Sequence, residues 1–246
     1  ILGLTATLER EDGLHDIILE HMKVFDTITI EDALKHSWIS PYKIYNVMVD
    51  LPPDELADYK KADASFRFYA MQMGRGMEAF KTAKEWISSD NKIYAVKTII
   101  DLFPDRNGLT FSANTNFADS LQDVLGNVSL TFHSKLTKKN QDIVMKTFKD
   151  KRTKVRIINT CKALNEGLDV PECSIGIVAG SNSTALTFIQ QLGRVVRHVP
   201  GKEAIFVNLY SPNTQEEKWL EKRMRGVDPS LITTLTLKGF VNLIKA

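Results

Sequence analysis

Between residues 108 and 209 the chain switches repeatedly between two hydrophobic periods, and no other feature constrains its fold as tightly. Short apolar runs bounded by turn residues occur at 108–112, 128–132, 155–159, 174–179 and 204–209. Stretches of helical period separate them, at 116–125, 137–149, 162–167 and 183–196. Strands alternating with helices build βαβ units, which close into a parallel sheet covered by helices on both faces. Ligands of such sheets meet the carboxyl ends of the strands, so the residues just after each run are the ones to inspect.

The first hundred residues are organised differently. A strand at 1–4 ends in Thr5-Ala6-Thr7, a helix is expected at 12–22, a short strand at 23–28 and a short helix at 31–36. A further strand at 42–49 leads to Pro52-Pro53. Two long helices, 54–69 and 77–102, follow and are divided at Gly74-Arg75-Gly76. They form a helical insertion ahead of the main βαβ run. Lys60, Lys61, Arg67, Arg75, Lys81, Lys84 and Lys92 make this insertion basic. A solvated helical surface and a duplex-contacting arm both fit that pattern. Beyond residue 209 the sequence reads as a polar helix at 215–224 and a weakly patterned tail at 228–246. The chain opens without methionine in what reads as the middle of a buried strand, so a fragment of a longer protein is expected.

The strand ends carry chemistry. Ser112-Ala113-Asn114 is small and polar, able to bring backbone N–H groups and an amide close to a phosphate; it is equally an ordinary turn. Thr160 stands where a helix N-cap is expected, and free N–H groups at a helix start suit a backbone phosphate. Gly167 reads as a helix stop with Asp169 emerging past it, and His133 follows the strand at 128–132 beside Lys135, Lys138 and Lys139. In Gln190–Arg197, Arg194 and Arg197 are three residues apart. On a continuous helix they share one face, and their forks of N–H donors match phosphate oxygens.

Four of these segments, in this order, resemble the motifs of the C-terminal half of superfamily 2 helicases and translocases, closest to the DNA-repair and phage branch similar to XPB. The segments are Gly3-Leu4-Thr5-Ala6-Thr7-Leu8, Leu109-Thr110-Phe111-Ser112, Thr160 through Pro171, and Gln190 through Arg197. Gln191 and Leu192 depart from the residues commonest between the glutamine and the glycine of the last motif. The resemblance covers roughly residues 1–210 and implies a RecA-like α/β fold. Residues 1–40 would be the remnant of a first lobe and its linker, 41–210 a second lobe including the helical segment 54–102, and 211–246 a C-terminal helical extension.

The resemblance also implies roles. Arg197 would be the arginine finger on the γ-phosphate of ATP, with Arg194 and Gln190 supporting the same phosphates. Gly167, Asp169 and Gly193 would lie at the nucleotide. Thr160, Ser112, Ala113, Asn114 and His133 would meet the nucleic acid, taken to be DNA, and Thr5 and Thr7 would couple the two sites.

Absences narrow the reading. No G-x(4)-G-K-[ST] phosphate loop occurs, and Gly201-Lys202 has the wrong context for one. Asp54-Glu55 opens a helix after two prolines, where acids are ordinary first-turn residues. ATP and Mg²⁺ would therefore be held mainly by the missing N-terminal lobe, and the fragment alone is expected to hydrolyse essentially none. No metal site of its own is expected. Net charge is only +2, so affinity for nucleic acid must come from local clusters. Cys161 and Cys173 are too few for a disulfide framework or a four-ligand zinc site, and both read as core residues. No run of 18 apolar residues occurs, and a cytoplasmic setting in a bacterial or phage-infected cell is expected. The alternative is a non-motor nucleic-acid-binding module. A stand-alone dinucleotide-binding domain is disfavoured because no G-x-G-x-x-G follows a strand.

Overall fold

The computed structural model describes residues 15–73, 90–161, 172–180 and 185–246, with the side chains at 62, 65–73 and 185 outside the description. In chain order the elements are α1 (His15–His21), α2 (Ile30–Lys35), β1 (Tyr42–Met48), α3 (Pro53–Met73) and α4 (Asp90–Leu102). Then come β2 (Gly108–Phe111), α5 (Thr115–Leu125), β3 (Ser129–His133), α6 (Lys138–Lys149), β4 (Ile157–Cys161) and β5 (Ile175–Val178). The last are α7 (Ala185–Val195), β6 (Ala204–Tyr210), α8 (Gln215–Arg223), β7 (Ile232–Thr236) and α9 (Leu237–Lys245). The strands form one seven-stranded sheet in the order β3-β4-β2-β5-β6-β1-β7, and every pairing is parallel. This is the parallel α/β sheet that the alternation predicts, in the RecA-like form that the resemblance implies.

Side chains alternate across a strand, so neighbours in sequence enter different cores. Ile157, Ile205 and Val207 face one core with α4, α5 and Phe240 of α9. Ile158 and Phe206 face the other with Phe148 of α6 and Phe188, Leu192 and Val195 of α7. Burial on both faces explains why these strands read as near-continuous apolar runs. Local signals fix the helix starts: Asn114 caps α5 through the Phe117 N–H at 2.8 Å, and Thr137 caps α6 through the Asn140 N–H at 3.3 Å.

Three elements differ from expectation. Residues 22–29 form no strand; the chain there is irregular up to Thr29, which caps α2 in a reciprocal box with Asp32. The run at 23–28 lacks a neighbouring strand to pair with among the described residues. Residues 228–246 are not weakly structured. They carry β7, which pairs with β1 from Ile44↔Ile232 to Met48↔Thr236, and α9 behind it. The stretch 211–246 thus supplies the last strand of the sheet. Finally, Lys92 of the basic insertion is neither solvated nor on an arm. It is fully buried, with its Nζ on the carboxylate of Glu216 in α8.

Candidate functional site

A polar ladder runs through the sheet interior from Ser129 at the start of β3 to Thr110 near the end of β2. Thr110 donates to Asn159 Oδ1 at 2.8 Å, and Asn159 Nδ2 donates to Ser129 Oγ at 3.1 Å. These groups on β2, β4 and β3 satisfy one another, as buried polar groups must. Three groups nearer the carboxyl edge do not. Ser112 Oγ, Thr160 Oγ1 and His133 Nδ1 are all buried without a hydrogen-bond partner. Leaving a buried hydroxyl unpaired costs about 1–3 kcal/mol. Strand register brings these residues to one edge on both faces of the sheet: Thr160 pairs with Phe111, Ser112 and His133 stand one residue further on, level with Cys161, and the Ser112 N–H donates to the Thr160 carbonyl at 2.8 Å. Three adjacent strand ends therefore present unsatisfied polar atoms at one edge.

Thr160 reaches this position as a strand residue and not as a helix N-cap, because β4 continues through Cys161. His133 is likewise the last residue of β3, and its Nε2 lies 3.3 Å from Asp119 Oδ1 on α5. Asn114 spends its side-chain oxygen on the α5 cap, and Ala113 is half-buried beside it. Lys135, Lys138 and Lys139 are exposed, and Lys138 pairs with Asp142 at 3.2 Å.

The arginine segment lies elsewhere. Phe188, Leu192 and Val195 hold α7 against the sheet, with the Phe188 ring edge-on to Phe206 at 5.3 Å. Gly176 of β5 permits that approach, since a Cβ there would sit 2.8 Å from Val195 Cγ2 and 2.9 Å from the Phe206 ring. The inward stripe leaves Gln190 and Arg194 half-buried and Gly193 exposed, while Gln191 is buried with Oε1 unpartnered. The helix stops at Val195, so Arg197 does not share a continuous helix face with Arg194. Arg197 instead forms an antiparallel bridge with Ile39, and its carbonyl accepts from Ser40 Oγ at 3.1 Å and Lys202 Nζ at 2.8 Å. Close by, the N–H of Ala204, the first residue of β6, donates at 2.8 Å to the carbonyl of Pro41, just before β1. Arg197 is thus at the amino edge of the sheet, opposite to the edge that holds Ser112 and Thr160.

Charge at the amino edge is dense. Burial pushes the Cys173 thiol up to about 12, against the pull of Lys202 and Arg197. Burial holds the Lys202 ammonium below its ordinary range, Cys173 and Glu172 oppose that shift, and Arg197 adds to it. Thr5, Thr7, Gly167 and Asp169 lie outside the described residues. Among the described residues no group of three or more His, Cys, Asp or Glu could hold a metal ion, and no helix is long and apolar enough to cross a membrane.

Sequence reasoning missed a buried network under β6 and β1. Lys92 meets Glu216, Glu216 accepts the Ser211 N–H at 2.7 Å, Arg223 donates to Asn208 at 3.0 Å, and Asn208 donates to Asn46 at 2.9 Å. Burial lowers the pKa of Lys92, and it lowers that of Arg223 to about 10, with Glu216 opposing both shifts. The available signal was Asn46 and Asn208, two amides set within apolar runs of β1 and β6.

Residues 91–199 match the family model described as the helicase conserved C-terminal domain. The chain is 25% identical over 248 residues to "DNA 3'-5' translocase XPB2" of Sulfurisphaera tokodaii, covering 90% of this chain and 55% of that protein. It is 25% identical over 228 residues to "DNA 3'-5' helicase XPB" of Mycobacterium tuberculosis, covering 91% and 38%. The chain therefore spans about half the length, or less, of these curated relatives. Among solved structures, the C-terminal domain of the DEAD-box protein Dbp5 superposes with a TM-score of 0.58 at 14% identity, over 84% of this chain and 96% of that one.

Proposed function

Since this chain is the C-terminal, second RecA-like lobe of a superfamily 2 helicase or translocase of XPB type, we propose that it is half of an ATP-driven motor that tracks along DNA. The observation that carries this reading is the separation of two chemistries within the matched span. Unsatisfied hydroxyls line one edge of the sheet, and Arg194 in the last turn of α7 and Arg197 just past its end lie toward the other. A motor needs both, one to hold a strand and one to act on a phosphoryl group.

In this reading the backbone of the strand supplies the partners that Ser112 Oγ and Thr160 Oγ1 lack, with His133 and the turn at Ala113 and Asn114 beside them. Contacts of this kind are salt-sensitive and largely indifferent to base sequence. Arg197 is the arginine finger on the γ-phosphate, and Arg194 and Gln190 support it. A fork of donors brought to a transferring phosphoryl group from a second lobe accelerates transfer by about 10³–10⁵-fold. Gly193 is exposed and a Cβ there would meet nothing within 4 Å, so this lobe itself does not demand a glycine. Close approach of the nucleotide or of a first lobe supplies the reason.

ATP and Mg²⁺ belong to that first lobe. The residues described here offer Arg197 and Lys202 for phosphates but no phosphate loop and no cluster of metal carboxylates, so they fit a partial nucleotide site. This lobe alone should hydrolyse essentially no ATP. Residues 1–40 are the tail of the first lobe and its linker, with Thr5 and Thr7 coupling the two sites and Gly167 and Asp169 at the nucleotide. A role in DNA repair or replication in a bacterial or phage-infected cell is part of the same reading.

The test is steady-state hydrolysis by the whole protein. Arg197→Ala is expected to abolish most DNA-stimulated turnover while DNA affinity stays near normal. Unchanged turnover would remove the finger assignment. A non-motor binding module, the alternative, predicts no DNA-stimulated hydrolysis by the whole protein at all.

A further inference from the structure

Ser211 follows β6 as Ser112 follows β2, and it too is 1% exposed with its Oγ unpartnered. Its main chain is fixed on both sides: the N–H donates to Glu216 Oε2 at 2.7 Å, and the carbonyl accepts from Thr214 Oγ1 at 2.7 Å. Only the side-chain hydroxyl is left over. Sheet order sets His133, Thr160, Ser112 and Ser211 along one edge on β3, β4, β2 and β6, with β5 between the last two. Four interstrand steps of ~4.8 Å give a row of about 19 Å. Register also fixes the height of Ser211. Ser112 follows the Phe111↔Val178 pair and Val178 pairs with Asn208, so Ser211 stands two residues beyond the level of Ser112.

We propose that Ser211 is a further contact for the nucleic-acid backbone, which carries the strand past β2 and β4 and across the end of β6. This rests on the strand-holding role proposed above for Ser112 and Thr160. Glu216, the acid nearest to Ser211, does not oppose an anion there, because the fully buried ammonium of Lys92 lies on its carboxylate. Arg223, two turns further along α8, adds positive charge to the same cluster. A phosphate oxygen accepting from Ser211 Oγ therefore approaches a neutralised site. The same pair pins the start of α8 and keeps Ser211 in place.

The test uses the whole protein and two oligothymidylates of about four and about twelve nucleotides, a span typical of single-strand sites. Thr160→Ala is expected to weaken both. Ser211→Ala is expected to weaken the long one about tenfold and leave the short one unchanged, the loss of one charge-assisted hydrogen bond. Its melting temperature should not fall, because no protein hydrogen bond is removed. Wild-type affinity at both lengths in Ser211→Ala, with Thr160→Ala weakened, would overturn the Ser211 contact and leave the strand-holding edge standing. Equal loss at both lengths, or a loss accompanied by a lower melting temperature, would also overturn it. Wild-type affinity in both variants would overturn the strand-holding edge as well.

Discussion

The two edges of this sheet are built on opposite principles. At the carboxyl edge, side chains are buried with polar atoms left unsatisfied: Ser112, Thr160, His133 and Ser211. At the amino edge, the backbone is over-determined. The carbonyl of Arg197 takes two side-chain donors, Arg197 itself is bridged to Ile39, and its neighbours Val196 and Val199 bond to Ser40. An edge with missing partners is built to receive something into a fixed frame. An edge with a locked backbone is built to hold a side chain in one place while something arrives from outside. Helix α7 joins them, running from the end of β5 back to the start of β1 and β6. The first arrangement suits a strand that slides, and the second suits a phosphate that must be met at one geometry.

The largest expected effect belongs to the amino edge. Arg197→Ala should reduce DNA-stimulated ATP hydrolysis by about 10³-fold or more, and a filter-binding titration should find DNA affinity within twofold of wild type, roughly the error of such a comparison. If affinity falls in step with hydrolysis, the two edges are not separate.

Next is the frame of the carboxyl edge. Lys92→Met leaves Glu216 buried without that cation and should cost about 3–5 kcal/mol in chemical denaturation, whereas Lys92→Met with Glu216→Leu should recover much of it. A single variant as stable as wild type would mean that the pair does not hold the start of α8.

Gly176→Ala tests whether α7 needs its close seat. The added Cβ would meet Val195 and Phe206 at under 3 Å, and overpacking of this kind costs roughly 1–3 kcal/mol. Melting should show it, and turnover should fall more than strand affinity. A variant that keeps full turnover would uncouple the helix seat from Arg197.

Titration of Cys173 should give the smallest effect. Its folded-state pKa is raised from 9.0 to about 12, so the neutral thiol is fully compatible with the fold below about pH 9. Stability should be lost as pH rises from there toward the folded value, because the unfolded chain loses the proton first. Cys173→Ala should flatten that alkaline decline in melting temperature, and an identical decline would place its origin elsewhere.

Most of the sheet was legible because β2 through β6 carry the alternation in their own residues. What was not legible depended on distant partners. Thr160 reads as a cap because a polar Asn-Thr pair follows an apolar run, yet β2 and β3 on either side hold the chain extended through Cys161. Arg197 reads as helical until Ser40, 157 residues away, captures its carbonyl. Lys92 reads as solvent-facing because Glu216 is 124 residues off. β7 has only Ile232 and Leu235 as apolar residues and is defined by its pairing with β1. The roles of Arg194, Arg197, Ser112 and Thr160 entered through motif order, and the unsatisfied atoms supply the physical motive for two of them.

The most direct test of two separate edges is steady-state ATP hydrolysis by the whole protein as single-strand concentration is varied, run on Thr160→Ala and Arg197→Ala together. Thr160→Ala should reach wild-type kcat at saturation while needing about tenfold more DNA, the loss of one hydrogen bond to a charged group. Arg197→Ala should show a collapsed kcat with an unchanged half-saturation point. A Thr160→Ala variant with lowered kcat and unchanged half-saturation, or an Arg197→Ala variant that only needs more DNA, would contradict the account.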